Sequence, residues 1–279
     1  MNINWYPGHM VKAKNNIIKS LKLVDIVAEI IDSRIPVSSR NPMLDEIIGD
    51  KPRIIIMNKS DLSEEIENEK WISYFNSQNI RAIKINSKNK INTSKIYNVA
   101  KEQLKDEFNT RKEKGIDKKL IKMMIVGIPN SGKSTFINNI SEKKGTKIGN
   151  RPGVTKQNQW IKTSSNLYLL DTPGVLWPKF EDQKTALHLS YTNAIKDEIL
   201  VIEDLALEFI KEMKKLKPQA LEERYGIDIN DTPLQIYENI ALKRGAIMKN
   251  KEIDYTKAAN IILNDFRTGK LGKISLEKI

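Results

Sequence analysis

The stretch VGIPNSGKST, residues 126–135, decides the fold. It contains the spacing Gly-x-x-x-x-Gly-Lys-Ser, which ends at Lys133 and Ser134. The apolar run IKMMIVG (121–127) predicts a strand before it, and a helical stretch follows, as a phosphate-binding loop requires. In such a loop backbone N–H groups face phosphate oxygens, the lysine reaches the β- and γ-phosphates, and the serine ligates Mg²⁺. The nucleotide-binding residues predicted here are Asn130, Ser131, Gly132, Lys133, Ser134 and Thr135.

A second motif, NKSD at residues 58–61, follows the isoleucines of the stretch IIIMNKSDL (54–62). Guanine presents N1–H and N2–H₂ donors on one edge, and the carboxylate of Asp61 can accept both. Adenine lacks this pair of donors, so the motif favours guanine over adenine nucleotides. Asn58 either bonds guanine N7 or ties loops together, and the stem of Lys59 can cover the base. The other residues predicted to bind at the base are Ser60, Asn86 and Ser87.

The sequence DTPG, residues 171–174, ends the predicted strand LYLLD (167–171), about 40 residues after the phosphate-binding lysine. At this position Asp171 is expected to hold Mg²⁺ through water, and the N–H of Gly174 to bond the γ-phosphate. Thr155 is expected to ligate Mg²⁺ only when the γ-phosphate is present. An ordinary loop threonine is the alternative for Thr155.

These motifs occur in an unusual order, because the base-reading motif precedes the phosphate-binding loop by about 70 residues. Every nucleotide-binding motif of a Ras-like GTPase is present, and the chain resembles a circularly permuted GTPase of the bacterial ribosome biogenesis GTPase A family. The resemblance runs nearly end to end. It is carried also by WYPGHM (5–10), DSRIPVSSRNP (32–42), GNRPGVT (149–155) and DFRTGKLG (265–272). Another permuted family, with an OB-fold and a zinc module, fits less well because this chain has no cysteine.

The resemblance implies GTP hydrolysis with Mg²⁺ and binding to a late precursor of the large ribosomal subunit through its rRNA. It implies an α/β fold, a circularly permuted Ras-like P-loop domain at 1–180 followed by an all-helical domain at 181–279. The residues agree with this fold. Short apolar runs alternate with polar helical stretches such as 63–77 and 94–114, as in a mostly parallel, doubly wound sheet. Beyond residue 184 the apolar spacing becomes helical.

The net charge of +12 predicts an anionic partner such as nucleic acid. Residues 1–22 contribute +4 and residues 142–162 contribute +5, whereas residues 200–279 contribute +1. A solvated basic surface is one alternative. Another is a GTP-dependent switch that recruits a protein or binds a membrane surface through the N-terminal segment. The candidate RNA contacts are Lys143, Lys144, Lys147, Arg151, Arg267 and Lys270.

Composition excludes several other classes of protein. The chain has no cysteine, which excludes disulfides and Cys-ligated zinc or iron–sulfur sites. No apolar run approaches the roughly 18 residues of a membrane span, and the first residues lack the apolar core of a signal peptide. We expect a cytoplasmic monomer without a membrane partner.

The residue that orients the attacking water is not evident, because Val175 stands where Ras-type enzymes place a glutamine after Asp-x-x-Gly. His9 is one candidate for this role, although it can equally cap a helix or contact RNA. Asn130 can instead ligate K⁺ near the β/γ bridge. The other candidate catalytic residues are Lys133, Thr155 and Gly174. His188 lies in an apolar helical pattern and is interpreted as structural.

Overall fold

Strands and helices alternate as far as residue 171 and helices follow, in the computed structural model of this chain. The structure describes residues 8–116, 120–141, 160–177, 180, 182–249 and 251–279, except for the side chains of residues 8–10. The strands are β1 (Ile26–Asp32), β2 (Arg53–Asn58), β3 (Arg81–Lys84), β4 (Ile121–Gly127), β5 (Trp160–Lys162) and β6 (Leu167–Asp171). The helices are α1 (Gly8–Ser20), α2 (Pro42–Ile48), α3 (Glu65–Ser77), α4 (Thr93–Gln103), α5 (Lys105–Glu113), α6 (Lys133–Ile140), α7 (Gln183–Tyr191), α8 (Ile202–Leu216), α9 (Pro218–Tyr225), α10 (Pro233–Lys243) and α11 (Tyr255–Thr268).

The strands form a sheet with the order β3-β2-β1-β4-β6-β5. All neighbours are parallel except β5 and β6, which are antiparallel. The central strand β1 pairs Asp32 with Asn58 of β2 and Ile30 with Gly127 of β4. The carboxyl ends of β1, β2 and β4 therefore meet at one edge, where open α/β sheets bind their ligands. The predicted α/β fold with a mostly parallel sheet is confirmed.

Both faces of the sheet are covered by helices, since every residue of β1 is buried. On one face, Ile125 and Leu169 belong to a core that includes Ile96 of α4 and Phe136 of α6. On the other face, the core extends into the helices of the C-terminal part. This arrangement is doubly wound, as the alternation of elements predicts.

The C-terminal part is helical, and α8 shows why. Leu205, Phe209 and Met213 recur at four-residue spacing and are fully buried, while the opposite side of the helix is polar. The core around them is continuous with the second face of the sheet. None of the described helices is both long and apolar enough to cross a membrane. A domain boundary between residues 180 and 181 stays a prediction.

The structure differs from the expected elements in one long helical stretch and three short elements. The stretch 94–114 is divided into α4 and α5 at Leu104, whose buried side chain ends the apolar face of α4. No residue of α5 is buried, so little packing holds the two helices in one line. Sequence periodicity did not predict β5, α2 or α9, which are too short to show it.

The last ten residues, 270–279, form an irregular C-terminal segment that returns to the sheet. The N–H of Ile274 donates to the Leu62 carbonyl at 2.9 Å, and the N–H of Leu276 donates to the Arg34 carbonyl at 2.9 Å. The indole of Trp71 on α3 donates to the Glu277 carbonyl at 3.2 Å. The segment thus joins the end of the chain to loops that follow β1 and β2.

His188 on α7 is buried between two carboxylates, in agreement with its interpretation as a structural residue. Its Nε2 lies 2.8 Å from Glu212 Oε1 of α8, and its Nδ1 lies 3.0 Å from Glu277 Oε1 of the C-terminal segment. Burial lowers the pKa of His188, but the two carboxylates more than offset this effect, so the pKa lies above its ordinary value. Protonated His188 therefore stabilises the docking of the C-terminal segment.

We expect stability to fall as pH rises through the raised pKa of His188, and Glu277→Gln to reduce this fall. The histidine's charge contributes fully below its ordinary pKa of about 6.5, and the contribution is lost above its raised value. Between about pH 6 and pH 9, Tm should drop by roughly 2–4 °C more in the wild type than in the variant. Thermal unfolding over this range measures the difference. Glu208→Gln, on the exposed side of α8, should keep the wild-type pH dependence, and an unchanged dependence in Glu277→Gln would contradict the prediction.

Candidate active site

The predicted phosphate-binding loop lies between β4 and α6, at the carboxyl edge of the sheet. Gly127 and Gly132 have φ values of +154° and +92°. A Cβ on Gly127 would lie 2.5 Å from the Ile30 carbonyl oxygen, and one on Gly132 would collide with the Asn58 amide. Both positions therefore require glycine for backbone conformation and for close approach. The loop has the form that the sequence predicts.

Lys133 and Asp171 face each other at the start of α6. The ammonium nitrogen of Lys133 lies 3.6 Å from Asp171 Oδ1, and Lys133 is buried. Asp171 Oδ1 is itself buried and has no hydrogen-bond partner among the described residues. Ser134, in the first turn of α6, is exposed beside them. A carboxylate oxygen without a partner and a nearby hydroxyl are ligands suited to Mg²⁺, directly or through water.

The DTPG sequence is held directly against the phosphate-binding loop. The hydroxyl of Thr172 donates to the Ile125 carbonyl at 2.7 Å, and the N–H of Val175 donates to the Gly127 carbonyl at 3.2 Å. A Cβ on Gly174 would lie 3.0 Å from the backbone nitrogen of Pro129. Gly174 thus places its backbone beside the loop, in a space that a larger residue would fill.

Asn58 ties three loops together. Its Nδ2 donates to the Ser131 carbonyl at 2.8 Å, and its Oδ1 accepts from the Ser87 N–H at 3.1 Å. Of its two expected roles, the structure shows the tie between loops. The N–H of Ser60 donates to the Ile85 carbonyl at 3.1 Å, which fixes the NKSD loop to the end of β3.

The residues that should meet the guanine edge lie around this tie. Asp61 is half-buried at the end of the NKSD loop, and Asn86 Oδ1 accepts from the Lys88 N–H at 2.9 Å. The buried hydroxyl of Ser87 has no hydrogen-bond partner within the described ranges. The carboxylate of Asp61 and the hydroxyl of Ser87 are therefore the groups that could bond the polar edge of a base.

Lys59 spans the space between the NKSD loop and the phosphate-binding loop. Its Nζ donates to the Asn130 carbonyl at 2.6 Å and forms an ion pair with Asp32 Oδ2 at 2.9 Å. Burial raises the pKa of Asp32, but the Arg34 guanidinium and the Lys59 ammonium more than offset it and hold the pKa well below its usual range. Asp32 is therefore ionised and shared between two cations.

Asn130 also connects the phosphate-binding loop with the C-terminal helices. Its Nδ2 donates to the carbonyl of Asn193, in the turn after α7, at 2.5 Å. The side-chain oxygen of Asn130 remains the atom that K⁺ would require. This contact links a predicted nucleotide loop directly to the helical part.

Some predicted site residues lie outside the described part of the chain. His9 belongs to α1 by its backbone, but its side chain is not among those described. The other predicted site residues outside the described ranges are Lys143, Lys144, Lys147, Arg151 and Thr155.

The guanidinium of Arg267 has several partners within the chain. It contacts both carboxylate oxygens of Asp197, at 2.6 and 2.8 Å, and donates to the carbonyls of Ser190 and Tyr191. These bonds brace α11 against α7, and contact of Arg267 with RNA stays a prediction. Lys270 is about half exposed, with Asp265 3.4 Å away, and stays a candidate contact.

Curated relatives resemble this chain over its full length. A ribosome biogenesis GTPase A from Bacillus pumilus is 43% identical over 279 residues, which cover 100% of this chain and 99% of the relative. The chain belongs to the ribosome biogenesis GTPase A family. A relative of the same name from Bacillus cereus is 44% identical over 99% of this chain and 94% of its own length.

Two further comparisons agree with membership of the ribosome biogenesis GTPase A family. The model of the family described as 50S ribosome-binding GTPase matches residues 122–240. The structure of GNP-bound YlqF from Thermotoga maritima superposes with a TM-score of 0.68 at 26% identity, covering 96% of this chain and 98% of that one. The GDP-bound structure of the same protein gives a TM-score of 0.67 at 25% identity, covering 94% and 98%. The chain is therefore a GTPase that binds GTP and GDP.

Sequence reasoning missed the buried ion pair between Asp32 and Arg34, which lies beside the nucleotide loops. Asp32 and Arg34 stand in the DSRIPVSSRNP stretch, which carried the family resemblance but received no role. The signal was a pair of opposite charges, one at the end of the mostly apolar strand β1 and one just beyond it, at the carboxyl edge of the sheet. Charges in this position are costly to bury unless they are paired, and their burial points to a specific partner.

Proposed function

We propose that this GTPase binds a late precursor of the large ribosomal subunit and couples GTP hydrolysis to assembly of that subunit. The observation that carries the proposal is the extent of the 43% identity, which includes the helical C-terminal part as well as the nucleotide-binding motifs. A GTPase core used for another purpose would need only those motifs. The relatives' name, ribosome biogenesis GTPase A, supplies the process.

In this proposal the phosphates and their cation are held by the loop before α6 and by the end of β6. Lys133 would contact the β- and γ-phosphates, Ser134 would ligate Mg²⁺, and Asp171 would hold the ion through water. Support comes from the unpartnered Asp171 oxygen beside Lys133. Bound Mg²⁺ would neutralise charge that develops on the phosphate oxygens. Thr155 adds a ligand in the GTP state, and the Gly174 N–H bonds the γ-phosphate.

The base is read at the opposite side of the same edge. We assign Asp61 to the guanine N1–H and N2–H₂ donors, and Lys59 to the face of the base. The tie through Asn58 fixes both loops relative to the phosphate site. The remaining assigned nucleotide contacts are Ser60, Asn86, Ser87, Asn130, Ser131, Gly132 and Thr135.

Two groups are candidates for assisting attack by water on the γ-phosphate. Val175 is fully apolar and buried, so the residue after DTPG does not perform it. His9 would act from the N-terminal segment, and K⁺ would act beside Asn130. The two roles are compatible, because His9 would act on the water, whereas K⁺ held by Asn130 would supply positive charge near the phosphates.

Nucleotide state is passed to the helical part through short connections. Residues 172–177 lead from the Mg²⁺ site toward α7, and Val175 is bonded to the phosphate-binding loop. Asn130 contacts Asn193 after α7. Loss of the γ-phosphate would free the DTPG segment, and the attached helices would respond. We further propose that residues 181–279 form the domain that follows the permuted GTPase domain, residues 1–180.

We assign rRNA contact to a basic loop that contains Lys143, Lys144, Lys147 and Arg151. The order of this loop would depend on the γ-phosphate through Thr155, so GTP would control the strength of its contact with rRNA phosphates. Lys270, near the end of α11, is assigned as a further rRNA contact.

We expect tight binding to large-subunit precursors with a non-hydrolysable GTP analogue, weaker binding with GDP, and falling affinity as salt rises. Replacing the four basic residues of the loop with alanine should reduce the salt slope by up to about 3 and shrink the difference between nucleotides. Pelleting with purified subunits at several salt concentrations measures both quantities.

The matched control removes four exposed lysines from α4 and α5. These residues are Lys95, Lys101, Lys105 and Lys112. This control should keep the wild-type slope. Equal binding in both nucleotide states, or a loop variant with the wild-type slope, would contradict the role of the basic loop. Binding to anionic liposomes in place of subunits would favour a membrane-surface switch.

A further inference from the structure

A triad of charges, made of the buried pair Asp32 and Arg34 and the partly exposed Lys59, lies where β1 meets the nucleotide loops. Arg34 contacts Asp32 with two side-chain nitrogens, Nε at 2.9 Å and Nη2 at 2.7 Å, and both residues are 1% exposed. Lys59 completes the triad at 2.9 Å from the same carboxylate. A carboxylate shared in this way fixes both cations in position, because any other arrangement would leave a buried charge unpaired.

The triad determines where Lys59 lies. Lys59 has a φ of +59°, a left-handed conformation that non-glycine residues adopt rarely and that needs support from its surroundings. Its ammonium is held by two groups, the Asp32 carboxylate and the Asn130 carbonyl of the phosphate-binding loop. Without Asp32, one of the two anchors is lost, and the NKSD loop is less firmly joined to the phosphate-binding loop.

The other end of the triad is fixed by the last helix. The Arg34 guanidinium lies 4.7 Å from the centre of the Phe266 ring and donates through Nη1 to the Phe266 carbonyl at 3.4 Å. Gly269 ends α11 with a φ of +81° and lies close to Leu62, which directly follows the NKSD motif. A Cβ on Gly269 would be 2.7 Å from the Leu62 side chain. The end of α11 is thus packed on the base-reading side of the pocket.

We propose that Asp32 is a positioning residue for guanine-nucleotide binding, which holds Lys59 against the phosphate-binding loop, and that Arg34 makes this position depend on the seating of α11. The proposal rests on the assignment of Lys59 to the nucleotide pocket. It adds a connection between pocket and helices on the base side, besides those through DTPG and through Asn130. By linkage, a helix that strengthens nucleotide binding is itself stabilised by nucleotide to the same extent.

The first experiment measures GDP and GTP dissociation constants by fluorescence titration. Lys59→Ala and Asp32→Asn should each weaken binding by about tenfold, the loss expected for one charge-assisted contact. The double variant should bind like Lys59→Ala alone, because Asp32 acts through Lys59. Additive losses, or unchanged affinity in Asp32→Asn while Lys59→Ala is weakened, would overturn the inference. Unchanged affinity in Lys59→Ala would instead refute the assignment of Lys59 to the pocket.

Glu29→Gln is the matched control for loss of a buried carboxylate. Glu29 lies on the same strand, is 1% exposed and pairs with Arg40 and Arg53 at 3.4 Å, away from Lys59. This control should lower stability without changing nucleotide affinity. If Asp32→Asn does not fold, Asp32→Glu keeps the charge and displaces the carboxylate by one methylene. It should weaken GDP binding severalfold, and wild-type affinity in it would overturn the inference.

The second experiment tests the link to α11. Phe266→Leu removes the ring beneath Arg34 but keeps an apolar side chain, and should weaken GDP binding about threefold and reduce the rise in Tm that GDP produces. Phe209→Leu is the control, because Phe209 is buried in the same core, 5.0 Å from the Phe266 ring. It should lower Tm without changing GDP affinity. Equal GDP affinities in Phe266→Leu and wild type would show that α11 does not act on the pocket.

Discussion

Replacing Lys133 with alanine should abolish measurable GTP turnover, with a decrease of at least about 100- to 1000-fold in kcat. The ammonium is buried at the start of α6 and has only the Asp171 carboxylate, at 3.6 Å, as an ion-pair partner among the described residues. It is therefore free to contact phosphate oxygens, where negative charge develops as the γ-phosphoryl group leaves. Release of phosphate under saturating GTP measures the loss.

Ser134→Ala should lower turnover to a similar extent through a different cause, the loss of a Mg²⁺ ligand. Its turnover should recover in part when Mg²⁺ is raised, whereas that of Lys133→Ala should not. Lys122→Ala, at the exposed second position of β4, should keep wild-type turnover and serves as the control. Hydrolysis that persists in both Lys133→Ala and Ser134→Ala would show that the loop before α6 is not the phosphate site.

The phosphate-binding loop and the sheet around it could be predicted because their signals are local. The requirement for glycine at Gly132 follows from one backbone angle and one close neighbour, and both are properties of a short motif. Strands β2 and β4 are short isoleucine- and methionine-rich runs, and such apolar runs are typical of buried parallel strands. The burial of His188 could also be predicted from a local signal, because this histidine stands on the apolar side of a helical pattern.

The connections between distant parts of the chain could not be predicted in this way. Arg34 and Phe266 are separated by 232 positions, and no sequence pattern around either residue indicates that they are in contact. The C-terminal segment has no regular structure, so periodicity gives no signal for its return to Leu62. The sequence shows Arg267 as a cation in the DFRTGKLG stretch, and only the fold shows that its guanidinium contacts Asp197.

The contacts of the C-terminal segment and of α11 fall on the base-reading side of the sheet. The segment is bonded to Leu62 immediately after the NKSD loop, and Gly269 at the end of α11 lies close to the side chain of the same residue. The helical part is therefore fastened to the base-reading loop as well as attached through DTPG.

Replacing Asp61 with asparagine should change the base preference of the enzyme from guanine to xanthine. The carboxylate is expected to accept from guanine N1–H and N2–H₂, and asparagine would present its own amide donors to them. Losing two charge-assisted bonds at about 1.5 kcal/mol each weakens GDP and GTP binding by roughly 100-fold. Xanthine carries a carbonyl in place of the N2 amino group, and this oxygen can accept from the new amide.

Titration with guanosine, xanthosine and adenosine diphosphates measures this change. The wild type should bind the guanosine nucleotide alone with high affinity, since an adenine edge would leave the half-buried carboxylate unmatched. The variant should bind the xanthosine nucleotide more tightly than the wild type does. Asp50→Asn, an exposed aspartate in the turn before β2, makes the same chemical change outside the site and should leave all three affinities unaltered. Similar affinities of the wild type for adenosine and guanosine nucleotides would show that Asp61 does not read the base.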